Sequence, residues 1–172
     1  MKIALDIDGV LRDFTGRLIE VYKEDYPDHD VKPITTWWFE DSFPIGKKIY
    51  DYYKENGERI FRFAKPFSGA YEFVASLKES NHVFIITAQP ENLSWATSGW
   101  VEEHLPKVDG LFFTNKKWLA DFDILLDDSP DVMETVWASG KAGILYNQAW
   151  NVKHNYPRVY NYEQFARLYG RI

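Results

Sequence analysis

The feature that most restricts what this chain can fold into is a series of short, unbroken apolar runs that each stop abruptly at polar or acidic residues. Residues 3–5 (IAL) stop at Asp6; residues 82–87 (HVFIIT), 110–114 (GLFFT) and 124–128 (ILLDD) repeat the design, and 142–146 (AGILY) makes a fifth. Unbroken runs, as opposed to alternating ones, suit strands covered on both faces. Between them lie stretches with helical spacing. Tyr71, Val74 and Leu77 space residues 70–78 as a helix, and Leu93, Trp100 and Val101 do the same for 91–104. Ser129-Pro130-Asp131 reads as a helix start before Val132, Met133 and Val136. Strands alternating with helices predict a parallel sheet with right-handed crossovers, hence a doubly wound α/β fold.

Residues 14–65 break that rhythm. They are rich in Trp, Tyr, Phe and charge, are punctuated by Pro27, Pro33 and Pro44, and carry helical patterns over 18–26 and 45–61. They are expected to form a small helical cap inserted after the first strand, leaving 1–13 and 66–172 as the α/β core.

Composition narrows the partners. The net charge is −6 and there is no long Lys/Arg run. A protein gripping a long polyanion needs such a stripe, because phosphate neutralisation supplies most of the affinity. A nucleic acid polymer is therefore not the expected partner, whereas a small anion needs only one or two local cations. The absence of cysteine excludes disulfides, thiolate metal sites and cysteine nucleophiles. The opening MKIALDIDGV lacks a signal-peptide pattern, and no stretch reaches the ~20 apolar residues of a membrane span. A soluble, cytoplasmic protein is the expectation. Aromatic residues are 17% of the chain, enough that some rings could serve a ligand.

Ligands of open parallel sheets bind beyond the carboxyl ends of the strands. The predicted strand ends carry Asp6 and Asp8, then Thr87, then Asn115 with Lys116 and Lys117, then Asp127 and Asp128. Acids, a hydroxyl and a cation would converge there, as phosphoryl transfer requires. A carboxylate can attack phosphorus and form an acyl phosphate. A hard cation on oxygen ligands relieves the repulsion between nucleophile and phosphate. A second acid protonates the leaving oxygen and later activates water.

Asp6-Ile7-Asp8-Gly9-Val10, Thr87 after Ile85-Ile86, Lys117 and the pair Asp127-Asp128 resemble, in order, the four motifs of the haloacid dehalogenase superfamily. The resemblance implies Asp6 as nucleophile and Asp8 as general acid/base, with Thr87, Ala88 and Lys117 on the phosphate. Magnesium would sit on Asp6, the carbonyl of Asp8 and the acidic pair, Asp128 directly and Asp127 beside it or through water. The chain is more closely similar to the 5'(3')-deoxyribonucleotidases of that superfamily. It shares their Asp-x-Asp-Gly-Val-Leu-x-Asp-Phe opening at residues 6–14 and their Pro-x-x-Gly-Ala helix start at 66–70. It also has their lysine ten positions before the acidic pair, which selects Lys117 over Lys116. It departs at Arg12, where a small residue is usual, and at Ala88-Gln89-Pro90 after the threonine.

The resemblance implies magnesium-dependent hydrolysis of phosphate monoesters, above all (deoxy)nucleoside monophosphates. Sugar phosphates, polynucleotide 3'-phosphate ends and a non-catalytic magnesium or phosphate-ligand binding module are the alternatives. Trp37, Trp38 and Phe43, with Phe39, are candidates for stacking on a base; the bland reading makes them cap core. Arg12 could contact phosphate or base, or pair with Asp13, which could equally cap a helix. Thr87 could cap the helix that follows it.

Overall fold

The computed structural model describes residues 1–170; the last two residues of the expected core segment lie outside that range. Six strands, β1 (Lys2–Leu5), β2 (His82–Thr87), β3 (Gly110–Phe113), β4 (Ile124–Asp127), β5 (Ala142–Tyr146) and β6 (Arg158–Val159), form one sheet. Its order is β3-β2-β1-β4-β5-β6, and every pairing is parallel. The chain runs outward from β1 through β2 to β3, then returns to the other side of β1 for β4. That reversal places the topological switch point between β1 and β4, where doubly wound sheets open a crevice.

Register decides what faces the crevice. Leu5 pairs with Ile85 on one side and Leu126 on the other. One residue beyond, Asp6 donates its backbone N–H to the Leu126 carbonyl at 2.9 Å, so Asp6 and Asp127 leave the sheet side by side.

Both sheet faces are covered, which is why the strands read as unbroken apolar runs. On one face Ile3, Leu5 and Ile85 pack with Phe73, Val74 and Leu77 of α3 (Ala70–Lys78), Trp100 of α4 (Ser94–His104) and Phe165 of α6 (Tyr162–Tyr169). On the other, Ala4, Leu125 and Leu145 meet Met133 and Val136 of α5 (Pro130–Ala138). The α5 start follows the sequence signal: Ser129 accepts from the Val132 N–H and Pro130 occupies the first turn.

The helical cap follows β1. Asp13 caps α1 (Phe14–Asp25) by accepting the Gly16 N–H at 2.9 Å, so it is the helix cap and not the partner of Arg12. The helix expected over 45–61 is broken into a 3-10 turn (Gly46–Lys48), α2 (Ile49–Glu55) and a π-turn (Glu58–Arg62). Gly57, at the junction, lets the cap pack closely on Leu93: a Cβ there would stand 2.4 Å from both Leu93 methyl carbons. Leu18, Tyr22, Phe43, Tyr52 and Phe61 build the cap's own apolar cluster, which also takes in Leu93 and Ala96 from the α4 region. Thr87 is not the cap of α4; Leu93 occupies the position before that helix. Among the described residues no helix is long and apolar enough to cross a membrane.

Candidate active site

The strand ends deliver their side chains into one cavity of about 210 Å³ between sheet and cap. Asp6, Asp8, Thr87, Ala88, Lys117, Asp127 and Asp128 all line it. The floor is ionic. Carboxylate oxygens of Asp6, Asp127 and Asp128 lie within 4.8 Å of one another, and all three residues are buried. Lys117, 2% exposed, sends its ammonium to Asp127 Oδ2 at 2.6 Å and stands 2.8 Å from Asp6 Oδ1. The hydrogen bond goes to Asp127; Asp6 Oδ1 lies within ion-pair reach but outside hydrogen-bond alignment, leaving a buried oxygen without a donor. The second Asp127 oxygen accepts the Ser129 N–H at 2.8 Å.

Three buried acids against one buried lysine is an unbalanced arrangement, and burial of unpaired charge is costly. Its effect on protonation follows. Burial pushes the Asp6 carboxyl up to about 7, Lys117 opposing and Asp127 and Asp8 reinforcing the rise. Burial likewise holds Asp128 well above the usual carboxylate range, helped by Asp127 and Asp6. Burial pulls the Lys117 ammonium down, but Asp127 and Asp6 together outweigh it and keep it charged above its ordinary value. A donor set of oxygens only, carrying surplus negative charge and one unsatisfied oxygen, fits a hard divalent cation.

Gly9 makes the cluster possible. Its φ is 75°, and a Cβ would lie 2.1 Å from Asp128 Oδ2. The backbone has to turn in the left-handed region there, against a carboxylate that leaves no room for a side chain. That same Asp128 oxygen accepts the Trp150 indole N–H at 2.9 Å, and Gln148 Nε2 donates to the Gly9 carbonyl at 2.6 Å. The segment after β5 thus braces the first and fourth motifs. Sequence reasoning missed it; the available signal was its place after a fifth strand end.

Asp8 lines the cavity but stands apart from the carboxylate cluster. Its carboxylate accepts Arg12 Nε at 2.7 Å, Arg12 Nη2 at 2.9 Å and Gln89 Nε2 at 2.8 Å. Arg12 therefore corrects the expectation of a phosphate or base contact: it is fully buried, and its charge is compensated by Asp8.

The cavity wall toward the cap is aromatic, formed by Phe14, Trp37, Phe39, Tyr53 and Phe61. Of the four rings proposed for stacking, Trp37 and Phe39 are on it. Phe43 is 3% exposed and packs edge-on against Tyr22 with centroids 4.9 Å apart, inside the cap cluster. Trp38 is 57% exposed and does not line the cavity. Consecutive residues point different ways, so neighbours in a Trp-Trp pair need not share a wall.

The family model described as "5' nucleotidase, deoxy (Pyrimidine), cytosolic type C protein" matches residues 1–169. A 5'(3')-deoxyribonucleotidase of Clostridium acetobutylicum is 29% identical over 138 residues, covering 74% of this chain and 73% of that one. The human mitochondrial 5'(3')-deoxyribonucleotidase is 24% identical over 148 residues, covering 77% of this chain and 64% of that one. Among solved structures, a haloacid dehalogenase-like family hydrolase of Streptococcus pneumoniae superposes with a TM-score of 0.62 at 15% identity, covering 98% and 97% of the two chains. That likeness concerns the fold. The chain belongs to the deoxy (pyrimidine) cytosolic type C 5'-nucleotidase family, a family of phosphoric monoester hydrolases on the haloacid dehalogenase fold.

Proposed function

We propose that the protein hydrolyses the phosphate of (deoxy)nucleoside monophosphates through an aspartyl-phosphate on Asp6, with magnesium, in the cytoplasm. The observation that carries this reading is the buried Asp6–Asp127–Asp128 cluster with Lys117, set at the floor of a cavity whose opposite wall is aromatic. An Asp6 oxygen attacks phosphorus while the bond to the nucleoside oxygen breaks, and Asp8 supplies the proton to that leaving oxygen. Water, giving its proton back to Asp8, then attacks the acyl phosphate, releasing inorganic phosphate and restoring Asp6. Lys117, Thr87 and the Ala88 amide hold the phosphate oxygens through both steps.

Asp6, Asp127, Asp128 and the Asp8 carbonyl are the residues that would hold magnesium. When bound, magnesium offsets the surplus carboxylate charge and that of the phosphate, so that an anionic nucleophile can approach. The cap, which we bound at residues 14–65, covers sugar and base, with Trp37 and Phe39 on the cavity wall suited to stacking. Those bounds are supported where the chain enters and leaves the cap: the Asp13 N–H donates to the Lys65 carbonyl at 2.9 Å, and Arg12 bridges to Pro66. The cavity's size and the acidic charge favour a mononucleotide over a polymer.

The test is phosphate release from ribo- and deoxynucleoside monophosphates and from sugar phosphates, with and without magnesium. Magnesium-dependent turnover of nucleotides well above sugar phosphates is expected. Preference for sugar phosphates would discard the nucleotide assignment, and release from none would favour the binding-module alternative.

A further inference from the structure

Arg12 is one of the largest fully buried side chains of the protein, and it is charged. Its guanidinium lies between two rings, 5.2 Å from the Phe61 centroid and 5.1 Å from that of Trp100. Nη1 donates to the Phe61 carbonyl at 2.8 Å and to Thr97 Oγ1 at 3.1 Å. The Phe61 carbonyl is a natural acceptor, because it lies at the end of the π-turn, where the last carbonyls have no later helical N–H to accept. The remaining edge, Nε and Nη2, forms a two-pronged pair with Asp8. Gln89 closes the ring: Nε2 donates to Asp8 Oδ2, while Oε1 accepts from Thr97 Oγ1 at 2.5 Å.

We propose that Arg12 is a positioning residue for the reaction: it fixes the Asp8 carboxylate at the angle from which a proton reaches the leaving oxygen, and it ties that angle to the cap through Phe61. The inference rests on the reading of Asp8 as general acid. Asp8 retains 23% side-chain exposure toward the cavity, whereas Arg12 has none, so Arg12 acts through Asp8 without touching substrate. A planar fork held between two rings has one orientation, and the carboxylate it grips inherits that orientation. Lysine keeps the charge but cannot supply two parallel donors. The position is open to such a device because the chain carries arginine directly before Asp13, where the chain passes into the cap.

A buried ion pair could also serve folding alone, and leaving-group dependence separates the two roles. An alkoxide leaving from a nucleotide needs a proton, whereas nitrophenolate leaving from p-nitrophenyl phosphate does not. The value of kcat/KM reports the steps through formation of the phospho-enzyme, where Asp8 donates. Arg12→Lys is therefore expected to lower kcat/KM for a deoxynucleoside monophosphate on the order of 100-fold, within the span of general acid catalysis, and for p-nitrophenyl phosphate only about threefold. Equal losses on both substrates, or no loss on either, would overturn the inference. If Arg12→Lys does not fold, Gln89→Met removes one donor from Asp8 at a half-buried position and is expected to show the same selective loss, on the order of tenfold. Equal losses there, or none, would overturn it too. Asp8→Asn is the control: it should show the strongest selectivity, and if it does not discriminate between leaving groups, the reading of Asp8 fails and the inference falls with it.

Discussion

The ammonium of Lys117 lies 2.6 Å from Asp127 Oδ2 in a site where neither side chain is more than 3% exposed. The ten-residue spacing that joins them spans a 3-10 turn (Lys117–Leu119) and the whole of β4, so the pair staples the third strand end to the fourth. Lys117→Met should be strongly destabilising, because it leaves a cluster of buried carboxylates without a counter-charge. A loss of roughly 3–5 kcal/mol is expected in urea denaturation with chelator present. Magnesium should recover part of that loss, since it supplies positive charge to the same acids.

Asp6→Asn separates function from stability. Activity should fall by roughly 10³-fold or more, since an amide is no nucleophile toward phosphorus. The fold should hold or gain stability, because one of three mutually repelling buried carboxylates is gone. Retained turnover, or a lower melting temperature in chelator, would contradict the account.

The raised Asp6 carboxyl has a pH signature. Its ordinary value is 3.8 and burial takes it to about 7 in the folded, metal-free protein. Between those values the folded chain binds more protons than the unfolded one, so stability falls as pH rises from about 4 through 7. Asp6→Asn should flatten that slope in chelator. Magnesium competes with the same protons, so its affinity should weaken as pH drops below 7 and its binding should release protons. Calorimetry in buffers of differing ionisation enthalpy measures that release directly.

The cap aromatics should divide by location. Trp37→Ala is expected to raise KM for nucleotides by an amount corresponding to about 1–3 kcal/mol of lost stacking. Trp38→Ala, at an exposed ring, should stay within about 0.5 kcal/mol in stability and leave KM unchanged. Phe43→Ala should cost roughly 3–5 kcal/mol of stability, because it empties the cap core.

The sheet was legible because its strands are covered on both faces, which forces the unbroken apolar runs at β1, β2, β4 and β5. The same rule explains what was not legible. β6 is two residues long, Arg158 and Val159, too short to make a run; α6, by contrast, carries Tyr162, Phe165, Ala166 and Tyr169 at helical spacing against the core and was legible in principle. Of the residues expected at the strand ends, Asp6, Asp8, Thr87, Lys117, Asp127 and Asp128 line one cavity, whereas Asn115 and Lys116 are exposed and do not; parallel register carries Asp6 alongside Asp127. Contacts that depend on a loop's exact path were not readable. Arg12 reaches Asp8 because the turn through Gly9 brings the two into bridge pairing, and Trp150 reaches Asp128 through a segment with no strand of its own. No periodicity encodes either.

The central claim is that Asp6 carries the phosphoryl group. The most direct measurement is mass spectrometry of the protein quenched in acid during magnesium-supported turnover of p-nitrophenyl phosphate, whose leaving group needs no proton, using Asp8→Asn to slow hydrolysis of the intermediate. The account predicts one added phosphoryl group on the peptide containing Asp6, absent in the Asp6→Asn, Asp8→Asn double variant. Turnover by the wild-type protein with no phosphoryl group on that peptide, or with one on another residue, would contradict it.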